Sequence, residues 1–199
     1  MQIISVINQK GGVGKTTTVI NLAAGLSQQN KKILVVDLDP QGNATTGLGL
    51  SNMENSSDTI YDVLNGTKEI VEVIKQTQFE NLDIITSGTI PPNPSEILAS
   101  SHMENLMNEL RKDYDVILMD APPLLAVTDA FVCMKYSDQF ILVVRSGVTE
   151  LSGLERSLVQ IEHANTKLSG VVVNAVDQNN SYYYGYYYNY YQYYYGDEK

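Results

Sequence analysis

The 199-residue sequence has no tryptophan, three phenylalanines, two histidines and a single cysteine. One cysteine excludes an internal disulfide framework, and Cys133 lies in an apolar stretch where it reads as core filling in a reducing compartment. His102 has Glu104 and Asn108 nearby and His163 stands near a helix end. Neither has metal-ligand company, so surface or capping roles are expected. Basic residues are scarce as well: 13 Lys and Arg stand against 23 Asp and Glu, a formal charge of -10. Such a surface repels phosphate backbones, so no nucleic-acid partner is expected. No apolar run approaches the roughly 18–20 residues that span a bilayer, and the N-terminus lacks a signal-peptide pattern. The expected location is the cytoplasm.

What is present is an alternation of strand and helix. Ile3–Ile7, Ile33–Val36, Leu82–Ile85, Val116–Met119, Phe140–Val144 and Val171–Val173 are short, β-branched, apolar runs, as expected of strands buried on both faces. Helical spacing runs from Thr16 to Gln28, Ser95 to Arg111, Asp129 to Tyr136 and Leu151 to Ala164. Asn93-Pro94-Ser95-Glu96 predicts a capping box with Pro94 at the first helical position, and Ser152-Gly153-Leu154-Glu155 predicts another. The expected fold class is α/β, a doubly wound, mostly parallel sheet covered by helices on both faces. It occupies residues 1–177. Residues 178–199 have no aliphatic residue and no amphipathic period, and read as a flexible low-complexity tail.

Lys10-Gly11-Gly12-Val13-Gly14-Lys15-Thr16-Thr17 lies between the first strand and the first helix. Its glycines let backbone N–H groups curl around phosphate oxygens, and the helix N-terminus adds partial positive charge. Lys15 is expected on the β- and γ-phosphates of ATP and the Thr16 hydroxyl on Mg²⁺. Gln9 occupies the first glycine position of the general P-loop pattern, and Lys10 marks the deviant form. Asp37 and Asp39 follow the second strand, and Asp120 ends another before Ala121-Pro122-Pro123 halts it. Carboxylates at strand ends beside a P-loop suit Mg²⁺ coordination, here from Asp39 and Asp120 with Thr16. Arg145 suits a phosphate, Asp129 or an ordinary ion pair.

Residues 1 to about 85 resemble the ParA/MinD partition ATPases, through Asn8–Thr18 and Val36–Thr45. That resemblance implies that Lys10 reaches across a nucleotide-sandwich dimer to the partner's phosphates, and that one of Asp37 and Asp39 positions the attacking water. From about residue 86 the chain resembles the bacterial tyrosine kinases of capsule and exopolysaccharide synthesis. Ser87–Leu98, Asp120–Pro123 with Thr128-Asp129-Ala130, and Val143–Thr149 carry the likeness. It implies that Asp37, Asp39 and Asp120 handle Mg²⁺ and activate a tyrosine hydroxyl, and that Asn174 reads the adenine edge. Two resemblances meeting near Ile85 to Ser87 read as a hybrid, natural or constructed. Gln41 stands where those kinases usually carry Arg, and the chain begins too late to include their ring-assembly helix.

Eleven of the 14 tyrosines are Tyr182, Tyr183, Tyr184, Tyr186, Tyr187, Tyr188, Tyr190, Tyr191, Tyr193, Tyr194 and Tyr195. The kinase resemblance makes them the acceptors of autophosphorylation, with transfer to a neighbouring copy. A Tyr/Asn/Gln tail also fits an aggregation-prone segment or a partner patch; stacking on single-stranded nucleic acid needs basic company, and Lys199 is alone. The implied partners are further copies, in a dimer or a ring, and a membrane adaptor of the polysaccharide chain-length-regulator type, which would hold the chain at the inner face of the plasma membrane. The competing expectation is a dimeric switch ATPase of the partition type.

Overall fold

The computed structural model describes residues 1–39, 41–50, 58–88, 91–122, 135–163 and 168–177. Six of the strands form where the β-branched runs predict them: β1 (Gln2–Asn8), β2 (Ile33–Asp37), β4 (Leu82–Ile85), β5 (Val116–Asp120), β6 (Gln139–Arg145) and β7 (Leu168–Asn174). A short β3 (Ile74–Gln76) was not legible, because three residues carry no period. The order across the sheet is β3-β4-β2-β5-β1-β6-β7. All neighbours are parallel except β3 and β4.

Alternation along the strands divides the core in two. On one face Val6, Val35, Ile84 and Leu118 pack with Val19 and Ala23 of α1 (Lys15–Ser27). On the other, Ile7, Val36, Met119, Phe140 and Leu142 meet Met103, Leu106 and Leu110 from one helix and Ile161 from another. These are α6 (Ser101–Leu110) and α7 (Leu151–His163). Short helices α2 (Asn43–Gly47), α3 (Ile60–Leu64), α4 (Ile70–Val73) and α5 (Pro94–Leu98) complete the described elements.

Four expectations change. The helix expected from Ser95 to Arg111 is two helices, because Ser100 takes extended angles (φ -72°, ψ 162°) and starts a new one, without a side-chain cap hydrogen bond. Asn93 forms no capping box: its Nδ2 donates to Glu96 Oε2 at 3.3 Å instead. Ser152 lies inside the first turn of α7, so it does not cap that helix. Capping boxes form elsewhere, at Thr59 with Asp62 and Glu69 with Glu72. Finally, β7 is an edge strand with Val171, Val172 and Val173 each more than a third exposed, not a strand buried on both faces. An apolar run looks the same in sequence whether its neighbours cover it or not. Residues 129–134 of the expected helix, Cys133 and the tail lie outside the described residues.

Phe140 is 1% exposed and ranks among the largest buried side chains. Phe140→Ala is expected to cost about 3–5 kcal/mol, seen as a lower denaturation midpoint with an unchanged slope in guanidinium.

Candidate nucleotide-binding and phosphoryl-transfer site

β1 is followed by the glycine-rich loop, and α1 begins at Lys15. Gly12 (φ 79°) and Gly14 (φ 97°) take left-handed angles that a side chain would strain, so the loop can turn tightly and present its amides. The crossover from β5 to β6 passes β1, which places the loop at the point where the sheet reverses its winding, where ligands of such folds bind. The register pairs Asp37 with Asp120 across β2 and β5, and Val6 with Asp120 across β1 and β5. Both carboxylates therefore sit at the carboxyl edge of the sheet beside the loop.

The Lys15 ammonium lies buried between two of these carboxylates. Nζ donates to Asp39 Oδ2 at 3.2 Å and to Asp120 Oδ1. The other Asp120 oxygen accepts from the Thr16 hydroxyl at 2.8 Å. Asp37 is fully buried: Oδ2 accepts from the Thr45 amide at 2.9 Å and its hydroxyl at 2.7 Å, and Oδ1 from the Asp39 amide at 3.2 Å. Burial raises its pKa to about 6; the Thr45 bonds oppose that shift, and the Asp120 charge adds to it. Burial also pushes the Asp120 carboxyl up, against the pull of Lys15. Three clustered carboxylates thus face one ammonium. That excess of buried negative charge suits a divalent cation, with Thr16, Asp39 and Asp120 as the oxygen donors at hand.

The remaining sequence candidates fall around this centre. Gly11, Gly12, Lys10 and Thr17 are exposed, and Val13 is buried. Asn174, at the end of β7, donates Nδ2 to the Val13 carbonyl at 3.0 Å, and its amide lies so close to Gly14 that a Cβ there would overlap it. Arg145 donates to the Gly12 carbonyl at 3.1 Å and makes no ion pair among the described residues. Tyr182 to Tyr195 and Asp129 lie outside the described residues. Two contributors were missed. Thr45 holds Asp37, and buried Asn8 donates to the Lys10 carbonyl at 2.7 Å. Both stand in motif segments of the sequence, but only folding shows what their side chains face.

The model of the AAA domain family matches residues 1–172. The chain belongs to this family. Its relatives fall into both of the groups its motifs resemble. It is 36% identical over 165 residues to the tyrosine-protein kinase wzc of Salmonella typhimurium, covering 82% of the chain and 22% of that protein. It therefore spans less than a quarter of that kinase's length. It is equally 36% identical over 188 residues to the sporulation initiation inhibitor protein Soj of Bacillus subtilis, covering 88% of the chain and 73% of Soj. Each alignment runs across both halves of the chain. Among solved structures, the kinase domain of Escherichia coli tyrosine kinase ETK superposes with a TM-score of 0.83 at 30% identity, over 90% of the chain and 69% of that domain. The Pyrococcus horikoshii septum site-determining protein MinD, solved with Mg-ADP, gives 0.68 at 28%, over 90% and 72%.

The raised Asp37 pKa has a consequence for the protein without nucleotide or metal. The folded state holds this proton up to pH about 6, the unfolded state only to about 3.8. The proton-linked stability is therefore complete below pH 3.8 and lost as pH rises through 6, on the order of 3 kcal/mol in all. Melting curves from pH 4 to 7 are expected to show wild type losing stability relative to Asp37→Asn across that window.

Proposed function

We propose that the chain uses Mg·ATP to phosphorylate tyrosines of its own tail, as a cytoplasmic autokinase of the polysaccharide-export type. The observation that carries this reading is the joining, in one chain, of the Lys15–Asp39–Asp120 centre to eleven terminal tyrosines. The other three tyrosines are poor acceptors. Tyr61 and Tyr136 are buried, and Tyr114 donates its hydroxyl to Asp83 at 2.8 Å, where burial and that carboxylate raise its pKa. The kinase relatives, wzc and ETK, support the same class of reaction.

In this reading Mg·ATP supplies the phosphoryl group. Lys10, Gly11, Gly12, Val13, Gly14, Thr16 and Thr17 hold its phosphates, and Asn174 its adenine edge. Lys15 stabilises charge on the transferred group. Asp39 takes the phenolic proton as the tyrosine oxygen forms its bond to phosphorus and the bond to ADP breaks. Asp37 positions Asp39, since its oxygens are engaged by Thr45 and by the Asp39 amide. Transfer runs to a neighbouring copy, in a dimer or ring, and a membrane-embedded chain-length regulator activates it.

A partition-type switch ATPase is the second reading. It is favoured by the identity to Soj and by Lys10, which is exposed and makes no ion pair among the described residues. Peptide mass spectrometry after incubation with Mg·ATP separates the two. Phosphate on Tyr182 to Tyr195, reduced about 100-fold or more in Lys15→Met, is the expected result. Phosphate released to solution from an unmodified tail would establish the switch ATPase instead.

A further inference from the structure

A cavity of about 210 Å³ opens beside the phosphate-binding loop, between it and the start of α7. Lys15, Thr16, Asp39 and Asp120 do not line it, whereas Lys10, Gly11 and Val13 of the loop do. Its walls include Val13, Val143 and Val148, with Lys10, Arg156 and Glu150 as its charged members. The two cations are conspicuous in a chain of net charge -10. Lys15, Lys68, Lys75, Arg111 and Lys112 are all ion-paired. Lys10 and Arg156 have no ion pair among the described residues, as is also true of Lys31, Lys32 and Lys135, and Glu150 shares their cavity. Arg156 uses only Nε, on the Ser152 carbonyl at 3.1 Å, which leaves its terminal nitrogens for a ligand. Arg145 adds a third cation at the loop, with NH1 on the Gly12 carbonyl.

An unpaired Arg beside valines matches a ligand that is anionic at one end and apolar at the other. The volume argues against a whole nucleotide, since sites for drug-sized ligands run from about 300 Å³ upward. One aromatic ring with one phosphate is the better match. We infer that this cavity is a product-docking site for a phosphotyrosyl side chain, with Arg156 on the phosphate and the valines beside the ring. This rests on the autokinase reading for the origin of the ligand, the modified tail of another copy. Seating one phosphorylated residue here would hold that tail beside the loop while a second tyrosine is presented to Asp39.

The two exposed ends of the cavity can be altered with little risk to the fold, because Arg156 is exposed and Val148 is 60% exposed. Phosphatase-treated full-length chain, freed of the phosphatase and saturated with Mg·ADP to fill the loop, is titrated calorimetrically with phenyl phosphate. Binding is expected, tighter than that of inorganic phosphate, and weakened about tenfold or more by Arg156→Glu and by Val148→Asp. Absence of binding, indifference to both substitutions, or inorganic phosphate binding as tightly as phenyl phosphate would each overturn the site. A phosphotyrosyl peptide with the sequence of residues 182–195 is expected to bind more tightly than phenyl phosphate. Equal affinity would overturn the tail as the source and leave a site for free aryl phosphates. Because the ligand is supplied already phosphorylated, this result is independent of whether the chain makes phosphotyrosine, which mass spectrometry decides separately.

Discussion

A buried ammonium ion held between carboxylates is the interaction on which the rest of the site depends. Lys15 cannot lie in a dry interior without anionic partners, and Asp39 and Asp120 supply them from the ends of different strands. Those partners are in reach because β2 and β5 pair in register, with Asp37 opposite Asp120. The start of α1 is thereby tied to two strand ends. The cluster still holds more negative than positive charge; burial raises the pKa of Asp37 and Asp120, and repulsion between carboxylates adds a smaller part. A site left short of positive charge in this way is prepared for a cation and a polyanion arriving together.

The same geometry is compatible with two outcomes. Transfer of a phosphoryl group to water and transfer to a phenol need the same cradle, the same lysine and the same strand-end carboxylates. They differ in what is delivered to the open side of the phosphate. Equal identity to a tyrosine-protein kinase and to Soj is therefore unsurprising for the nucleotide machinery. In the proposed function the feature that tells them apart lies outside the machinery, in the eleven tyrosines between Tyr182 and Tyr195.

Charge distribution separates the neighbourhood of the loop from the rest of the surface. Most of the described cations elsewhere are balanced by carboxylates, often within the same helix or turn, as with Lys68 and Glu72 or Lys112 and Glu109. Around the loop, Lys10, Arg145 and Arg156 are turned to backbone carbonyls or to solvent instead. Lys31, Lys32 and Lys135 are also without an ion pair among the described residues, but the three cations gathered at the loop attract anions there together.

The amino-acid sequence by itself determined the alternation of strands and helices, the parallel sheet and the phosphate loop. Each depends on local features: β-branched runs, glycines that permit φ values of 79° and 97°, and a Lys-Thr pair opening a helix. It also marked Asp37, Asp39 and Asp120 as strand-end carboxylates, but left open which of Asp37 and Asp39 is the base. Tertiary structure separated them, because only strand order and register decide that Asp37 is enclosed by Thr45 while Asp39 and Asp120 reach Lys15. It likewise broke the helix at Ser100 and left the valines of β7 at an open edge, since neither a cap's angles nor a strand's missing neighbour is encoded in an apolar run. The division follows range: contacts within a few residues leave a periodic trace in the chain, whereas Lys15 and Asp120 are 105 residues apart and meet only when the sheet forms.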